Sequence, residues 1–182
     1  MLLGDFGADV VKVEKPGLGD DTRHYGPMIS EETMYFLTFN RNKRSIEVDP
    51  RTTAGKQLLL DLAIQADVLV ENFRPGILEK MGLETSKLLK ENPRLVITRI
   101  SGYGQDGPDA GKLSFDAIAQ AESGLMSLTG DEGSAPYPIG TYVVDYSAGM
   151  QAAFATLAAL QERAKSGQGQ VVDVSLLETA FS

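Results

Sequence analysis

Apolar stretches of strand length alternate along this chain with stretches of helical period. Val10-Val11-Lys12-Val13 is short and β-branched and is followed by Pro16 and Gly17, which predicts a strand. Ser45-Ile46-Glu47-Val48 predicts a second, and Asp49-Pro50 after it offers a helix cap with proline at the first helical position. Leu58, Leu59, Leu62, Ala63 and Ala66 form a helical stripe. Asp67-Val68-Leu69-Val70-Glu71 predicts a third strand, from which Asn72-Phe73-Arg74-Pro75-Gly76 turns away. A short helix is expected over 84–91, ended by Asn92-Pro93, and a fourth strand over Leu95-Val96-Ile97-Thr98-Arg99-Ile100.

The second half changes character. Residues 115–128 are a small-residue helical run, and a Gly/Pro/Ser-rich loop follows over 130–140. A long alanine-rich helix is expected over 148–163. Its first three turns are apolar almost all round, so it is expected to be buried. Gly167-Gln168-Gly169 stops it, Val171-Val172-Asp173-Val174 predicts a last strand, and a further helix starts at Leu176. Met1-Leu2-Leu3-Gly4 resembles the tail of a helix and Ser182 falls inside a helical pattern, so both ends look cut.

Strands separated by helices predict an α/β fold, a Rossmann-like parallel sheet flanked by helices. Near-continuous apolar strands fit a sheet covered on both faces. Ligands of such sheets bind outside the carboxyl ends of the strands, which puts residues 49–51, Asn72-Phe73 and Ser101-Gly102-Tyr103 near one rim.

Composition narrows the chemistry. The chain has 182 residues and a net charge of −8, which argues against nucleic acid or an anionic membrane surface as partner. There is no cysteine, hence no thiolate nucleophile and no cysteine metal site, and the single histidine, His24, excludes a multi-histidine metal centre. No run approaches the roughly 20 apolar residues of a membrane span, and the N-terminus lacks the basic and apolar regions of a signal peptide. The expected compartment is the cytoplasm or an organelle matrix.

Four features carry candidate chemistry. Ser101-Gly102-Tyr103-Gly104-Gln105-Asp106-Gly107-Pro108 is the densest glycine loop; it follows a strand, and its amides can approach a ligand, although from composition alone a plain turn into the next helix is the better explanation. Lys15, Arg41, Lys43, Arg44, Arg51 and Lys80 are cations near strand ends, suited to phosphates or simply to solvent. Asp145 precedes the long helix, where it either caps the helix or lies just outside it. There the helix dipole and amide donors would keep it ionised, as a carboxylate nucleophile must be. Asp116 stands early in the preceding helical run, where an acidic residue complements the dipole.

These features fall in a known order. Leu3-Gly4-Asp5-Phe6-Gly7-Ala8-Asp9-Val10-Val11-Lys12-Val13-Glu14-Lys15-Pro16 and Gly19-Asp20-Asp21-Thr22-Arg23 resemble the N-terminal segment of the formyl-CoA transferase and alpha-methylacyl-CoA racemase family (CaiB/BaiF type, class III). So do Asn40-Arg41-Asn42-Lys43-Arg44-Ser45-Ile46, then Val70-Glu71-Asn72-Phe73-Arg74-Pro75-Gly76 with Met81-Gly82, then Ser101-Gly102-Tyr103-Gly104. Val144-Asp145 with Gly167-Gln168-Gly169-Gln170 completes the set. The resemblance spans essentially the whole chain and is to the N-terminal half of the family's longer proteins.

The resemblance implies several things. Residues 1–182 would be a partial large CoA-binding α/β domain of an interlocked homodimer, lacking the small domain, the C-terminal return and a glycine-rich active-site loop. The activity implied is movement of CoA from an acyl-CoA to a carboxylic acid, with CoA as substrate and product, no metal, and Asp145 as covalent nucleophile. Lys15, Val48 and Arg51 would hold the nucleotide, and Asn72, Phe73, Lys80 and Met81 the pantetheine path. Lys15 and Lys80 stand where formyl-CoA transferase has arginines, which keeps charge but removes the planar fork. A racemase would need a second base; Phe115-Asp116 replaces its His-Asp pair, and phenylalanine accepts no proton. A non-catalytic CoA-binding or oligomerisation module is the alternative from another class.

Overall fold

All five predicted strands form, and each pairs parallel with its neighbour in its own sheet. In the computed structural model, which describes residues 1–182, they distribute over two compact units, residues 1–59 and 60–182.

In the first unit, β1 (Val10–Glu14) pairs with β4 (Lys43–Glu47) in a register that runs from Val10 opposite Lys43 to Glu14 opposite Glu47. A short helix α1 (Leu2–Asp5) precedes β1, as its helix-tail pattern predicts. The crossover between the two strands holds a hairpin, β2 (Met28–Ile29) with β3 (Glu32–Thr33), and helix α2 (Met34–Asn40), capped by Thr33 Oγ1 accepting the Phe36 amide at 2.9 Å. Val11 and Val13 lie on an exposed face, so this sheet is not covered on both sides within its own unit. The helix expected at Asp49-Pro50 starts later, as α3 (Thr53–Gln65): Thr52 Oγ1 takes the Gly55 amide at 2.9 Å and acts as the cap instead.

The second unit is built on a three-stranded sheet in the order β5 (Val68–Glu71), β6 (Val96–Ser101), β7 (Val171–Ser175). Between β5 and β6 run α4 (Ile77–Lys80) and α5 (Thr85–Glu91). The central strand β6 is the most enclosed: Val96, Ile97 and Thr98 are fully buried, and Arg99 is nearly so. Arg99 is tolerated because it is fully paired. Its Nε donates to Glu71 Oε1 at 2.6 Å and its Nη1 to Glu79 Oε1 at 2.9 Å, and these two carboxylates hold the guanidinium charge against the penalty of burial.

After β6 come α6 (Asp116–Glu122), α7 (Val143–Ser166), β7 and α8 (Leu176–Phe181). The helical run over 115–128 is interrupted, because Gly124 takes a left-handed conformation and leaves Leu125–Leu128 as a 3-10 turn. Helix α7 begins five residues before the expected start at Ala148. It lies along β6 and β7, with Thr98 Oγ1 and Thr156 Oγ1 sharing a 2.6 Å hydrogen bond at mid-sheet. Its far end is tied by Arg163, which donates to the carbonyls of Asp67 and Arg94 at the starts of β5 and β6, and Gly167 ends it in the left-handed region. The N-terminus of α7 therefore stands at the carboxyl rim of the sheet.

Ala148, Ala152, Thr156 and Ala159 are the face α7 buries. The expectation that its first turns are buried all round is not met: Tyr146, Met150, Phe154 and Leu157 lie along an exposed stripe. A sheet on one side covers only one face of a helix, however apolar the other is. No helix of the chain is long and apolar enough to cross a membrane.

Arg99→Met leaves the Glu71 carboxylate buried without its partner. Urea unfolding is expected to show a loss of about 3–5 kcal/mol; a midpoint unchanged from the parent would show that Arg99 does not hold β5 to β6.

Candidate active site

In the first unit, the loop after β1 is fixed by one buried carboxylate. Glu14 accepts Arg23 Nε at 2.7 Å and Nη2 at 2.9 Å, the Ser45 hydroxyl at 2.7 Å and the Asp20 amide at 2.8 Å. The Arg23 guanidinium and these donors hold its pKa down at about 2, against the upward push of burial. Asp20 caps the following turn through the Thr22 amide at 2.8 Å and binds Lys12 at 2.5 Å; although burial pushes it up, these partners bring it to about 2.

That scaffold presents Lys15. A cavity of about 380 Å³ is lined by Lys15, Pro16, Leu18, Asp49, Pro50 and Arg51, at the carboxyl ends of β1 and β4. Lys15 pairs with Asp21, and Arg51 forms a two-pronged pair with Asp49, both prongs at 2.8 Å. Both cations are exposed, Arg51 at 86%, so an entering phosphate can displace these surface pairs at little cost. Val48 is buried, its amide bonded to the Glu14 carbonyl at 3.0 Å, and it does not line this cavity. Arg41 and Arg44 stand before and at the start of β4, away from this cavity, and pair with Asp5 at 2.6 Å and Asp9 at 2.7 Å.

In the second unit, Asn72 and Phe73 follow β5, and Ser101 ends β6 with Gly102 after it, on one rim of one sheet. The Phe73 amide donates to Glu71 Oε2 at 2.7 Å, so the carboxylate that holds Arg99 also shapes this turn. Asn72 and Phe73 are exposed, Lys80 is exposed on the last residue of α4, and Met81 is half-buried just after it. The loop after β6 is pinned to β7 and to α8: the Gln105 amide donates to Asp173 Oδ2 at 2.8 Å, and the Leu177 amide to the Gly102 carbonyl at 3.0 Å. Glycine is required at 102, because a Cβ there would sit 2.4 Å from Cβ of Ser114.

Asp145 is the third residue of α7, in its first turn, and neither caps the helix nor lies outside it. The amides that would have bonded it are taken elsewhere. Asp116 Oδ2 accepts the Val144 amide at 2.8 Å and the Asp145 amide at 3.0 Å. Asp145 is exposed as a residue although surrounding protein partly desolvates its carboxylate, and no hydrogen bond or opposite charge within the chain acts on it. Desolvation, and next the negative charge of Asp116, raise its pKa to about 6, the reverse of the depression expected from the helix dipole. It is still about nine-tenths ionised at pH 7. A carboxylate more basic than usual, mostly charged and unpaired, is equipped to act as a nucleophile.

A second cavity, of about 290 Å³, lies between α6 and the segment entering α7, lined by Asp116, Ala117, Gln120 and residues 138–142. Asp116, marked from the sequence only as an acid that complements its own helix, proves to bond the first turn of α7. Its place at the start of α6 suggests service to its own helix, and nothing in the spacing of 28 residues to Val144 shows that it serves the next. No group of three or more His, Cys, Asp or Glu side chains is placed to hold a metal ion.

The profile of CoA-transferase family III matches residues 1–182. An acyl-CoA transferase of Fusarium pseudograminearum is 44% identical over all of this chain and 42% of its own length. Succinyl-CoA:glutarate CoA-transferase of Mus musculus is 44% identical over 98% of this chain and 41% of its own. The crystal structure of a CaiB/BaiF family protein from Brucella suis superposes with a TM-score of 0.93 at 40% identity, over 98% of this chain and 48% of that one. The chain thus spans a little under half the length of these relatives.

The raised pKa has a consequence for stability. Asp145 binds its proton more tightly in the folded state, so it contributes relative stability that is full below its unfolded value of 3.8 and lost as pH rises through about 6. Asp145→Asn is expected to raise the thermal midpoint at about pH 7.5 and leave it nearly unchanged at about pH 3.5, measured by circular dichroism. An equal shift at both would show that the charge is not under strain.

Proposed function

Since the chain belongs to CoA-transferase family III, we propose that it carries the nucleophile and the nucleotide-binding rim of an enzyme that moves CoA from an acyl-CoA to a carboxylic acid. The observation that carries this reading is the unpaired, desolvated Asp145 carboxylate at the carboxyl rim of a parallel sheet.

An Asp145 oxygen attacks the thioester carbonyl carbon; the C–S bond breaks, leaving a mixed anhydride and the CoA thiolate. The thiolate attacks the aspartyl carbonyl of that anhydride, the C–O bond breaks, and the donor leaves as a carboxylate. An aspartyl-CoA thioester remains. The acceptor carboxylate then attacks this thioester, forming a second anhydride, and the returning thiolate takes the acceptor's acyl carbon and frees Asp145. No proton is gained or lost overall. One fixed carboxylate thereby divides a hard exchange between two carboxylates into addition–elimination steps.

Lys15 and Arg51 are suited to the nucleotide's phosphates, and the buried Val48 just before Asp49 would support that loop from within. Asn72 and Phe73, with Lys80 and Met81, offer mixed polar and apolar contacts suited to pantetheine. Acyl-CoA and a carboxylic acid would be the partners, and an interlocked homodimer the assembly. Phe115, exposed at the start of α6, brings no second base, which disfavours alpha-proton exchange.

Mass spectrometry of the full-length protein after incubation with an acyl-CoA is expected to find a CoA-sized adduct on the peptide holding Asp145. Asp145→Ala should abolish both adduct and turnover while CoA still binds. Turnover retained in that variant refutes the assignment, and CoA binding without transfer in the unmutated protein favours a binding module. Arg51→Ala is expected to raise the KM for acyl-CoA about tenfold with kcat within about twofold; a fall confined to kcat would remove Arg51 from the CoA site.

A further inference from the structure

Asp116 opens α6 and is 4% exposed. Its Oδ2 receives the amides of Val144 and Asp145, and its Oδ1 receives the side-chain amide of Gln120. Gln120 Oε1 in turn accepts the Ile139 amide at 2.9 Å. One carboxylate and one carboxamide therefore fix both the segment entering α7 and its first turn. The residue at the cap position of α7, Tyr142, makes no side-chain cap bond. Capping by itself needs no charge, since a serine, threonine or asparagine oxygen serves. A buried carboxylate set beside another carboxylate is unfavourable, and it is an expensive choice if a cap is all it provides.

We propose that Asp116 is a positioning residue for Asp145: it fixes the backbone from which the Asp145 side chain projects and places a second negative charge beside that carboxylate. This rests on the reading of Asp145 as nucleophile. The charge keeps the Asp145 carboxylate basic and the captured amides leave it unbonded, so attack on a thioester breaks no hydrogen bond of its own. Charged groups stand on every element packed against α7: Asp116 and Glu122 on α6, Arg99 on β6, Asp173 on β7 and Glu178 on α8. Among them Asp116 is the one that acts on the Asp145 carboxyl, adding to the larger effect of desolvation.

The test is Asp116→Asn in the full-length protein, with Asp116→Ser as a second variant that keeps an uncharged capping oxygen in a smaller side chain. Two readouts are needed: the titration of the Asp145 side-chain carboxyl by carbon NMR, and the pH profile of kcat/KM. Both are expected to move to lower pH, raising activity at about pH 5, relative to each protein's own plateau, about two- to threefold. The plateau itself should fall. A titration and an acid limb that stay near pH 6 in the variants overturn the proposal, and so does failure of both variants to fold, which would leave Asp116 a structural cap. The NMR titration does not depend on turnover. If Asp145→Ala retains activity while the titration still responds to Asp116, the nucleophile assignment fails and the coupling of the two carboxylates stands.

Discussion

Two backbone amides at the start of α7 have one carboxylate to go to, and that carboxylate belongs to the preceding helix. The first amides of any helix lack partners inside it. Here Asp116 takes two of them, at 2.8 and 3.0 Å, from a position almost fully out of solvent. Three consequences follow from this one arrangement. Helix α7 begins at Val143, several residues before its alanine-rich pattern does. The Asp145 side chain is left without an amide to bond. Its carboxylate, made more basic first by desolvation, also lies within reach of a like charge that adds to the effect, against what the helix dipole ordinarily favours.

The strands were legible because their signals are local. Val10-Val11-Lys12-Val13 and Leu95-Val96-Ile97 are β-branched or apolar runs bounded by proline, glycine or asparagine, and each became a strand within a residue or two of its expected ends. Helix starts were less legible, because a cap is a hydrogen bond and not a pattern. Asp49-Pro50 has the composition of a cap, but Thr52 makes the bond, and Val143-Val144 has the look of strand residues until Asp116 is seen to hold them. The open stripe of Tyr146, Met150, Phe154 and Leu157 was illegible for a different reason. Hydrophobicity states what a helix can bury, and not how many neighbours reach it.

The same limit separates the candidate cations. Composition makes Lys15, Arg41, Arg44 and Arg51 equivalent. The structure divides them by what their acidic partners do. Asp5 receives both Arg41 and Asn42, so Arg41 helps join α1 to the segment before β4. Asp49 receives only Arg51, two residues away, through a pair exposed to solvent. A local, exposed pair is cheap to exchange for a phosphate, whereas a pair that closes a gap of 36 residues is part of the fold.

A nucleophile held on a rigid element must be fixed along the whole of that element. Helix α7 is held at three levels: by Asp116 at residues 144 and 145, by Thr98 at Thr156, and by the Asp67 and Arg94 carbonyls at Arg163. The middle and far anchors tie the helix to the starts and centres of the strands, and only the first lies at the rim where chemistry can occur. Stability alone could have been served by any of the three. Both end anchors carry a charge: Arg163 is neutralised by Asp67 at 2.9 Å, whereas Asp116 stands beside Asp145, where it opposes the ionised form of that residue and does not relieve it. An arrangement that stabilises the helix backbone while straining the side chain it presents is what a reactive carboxylate requires.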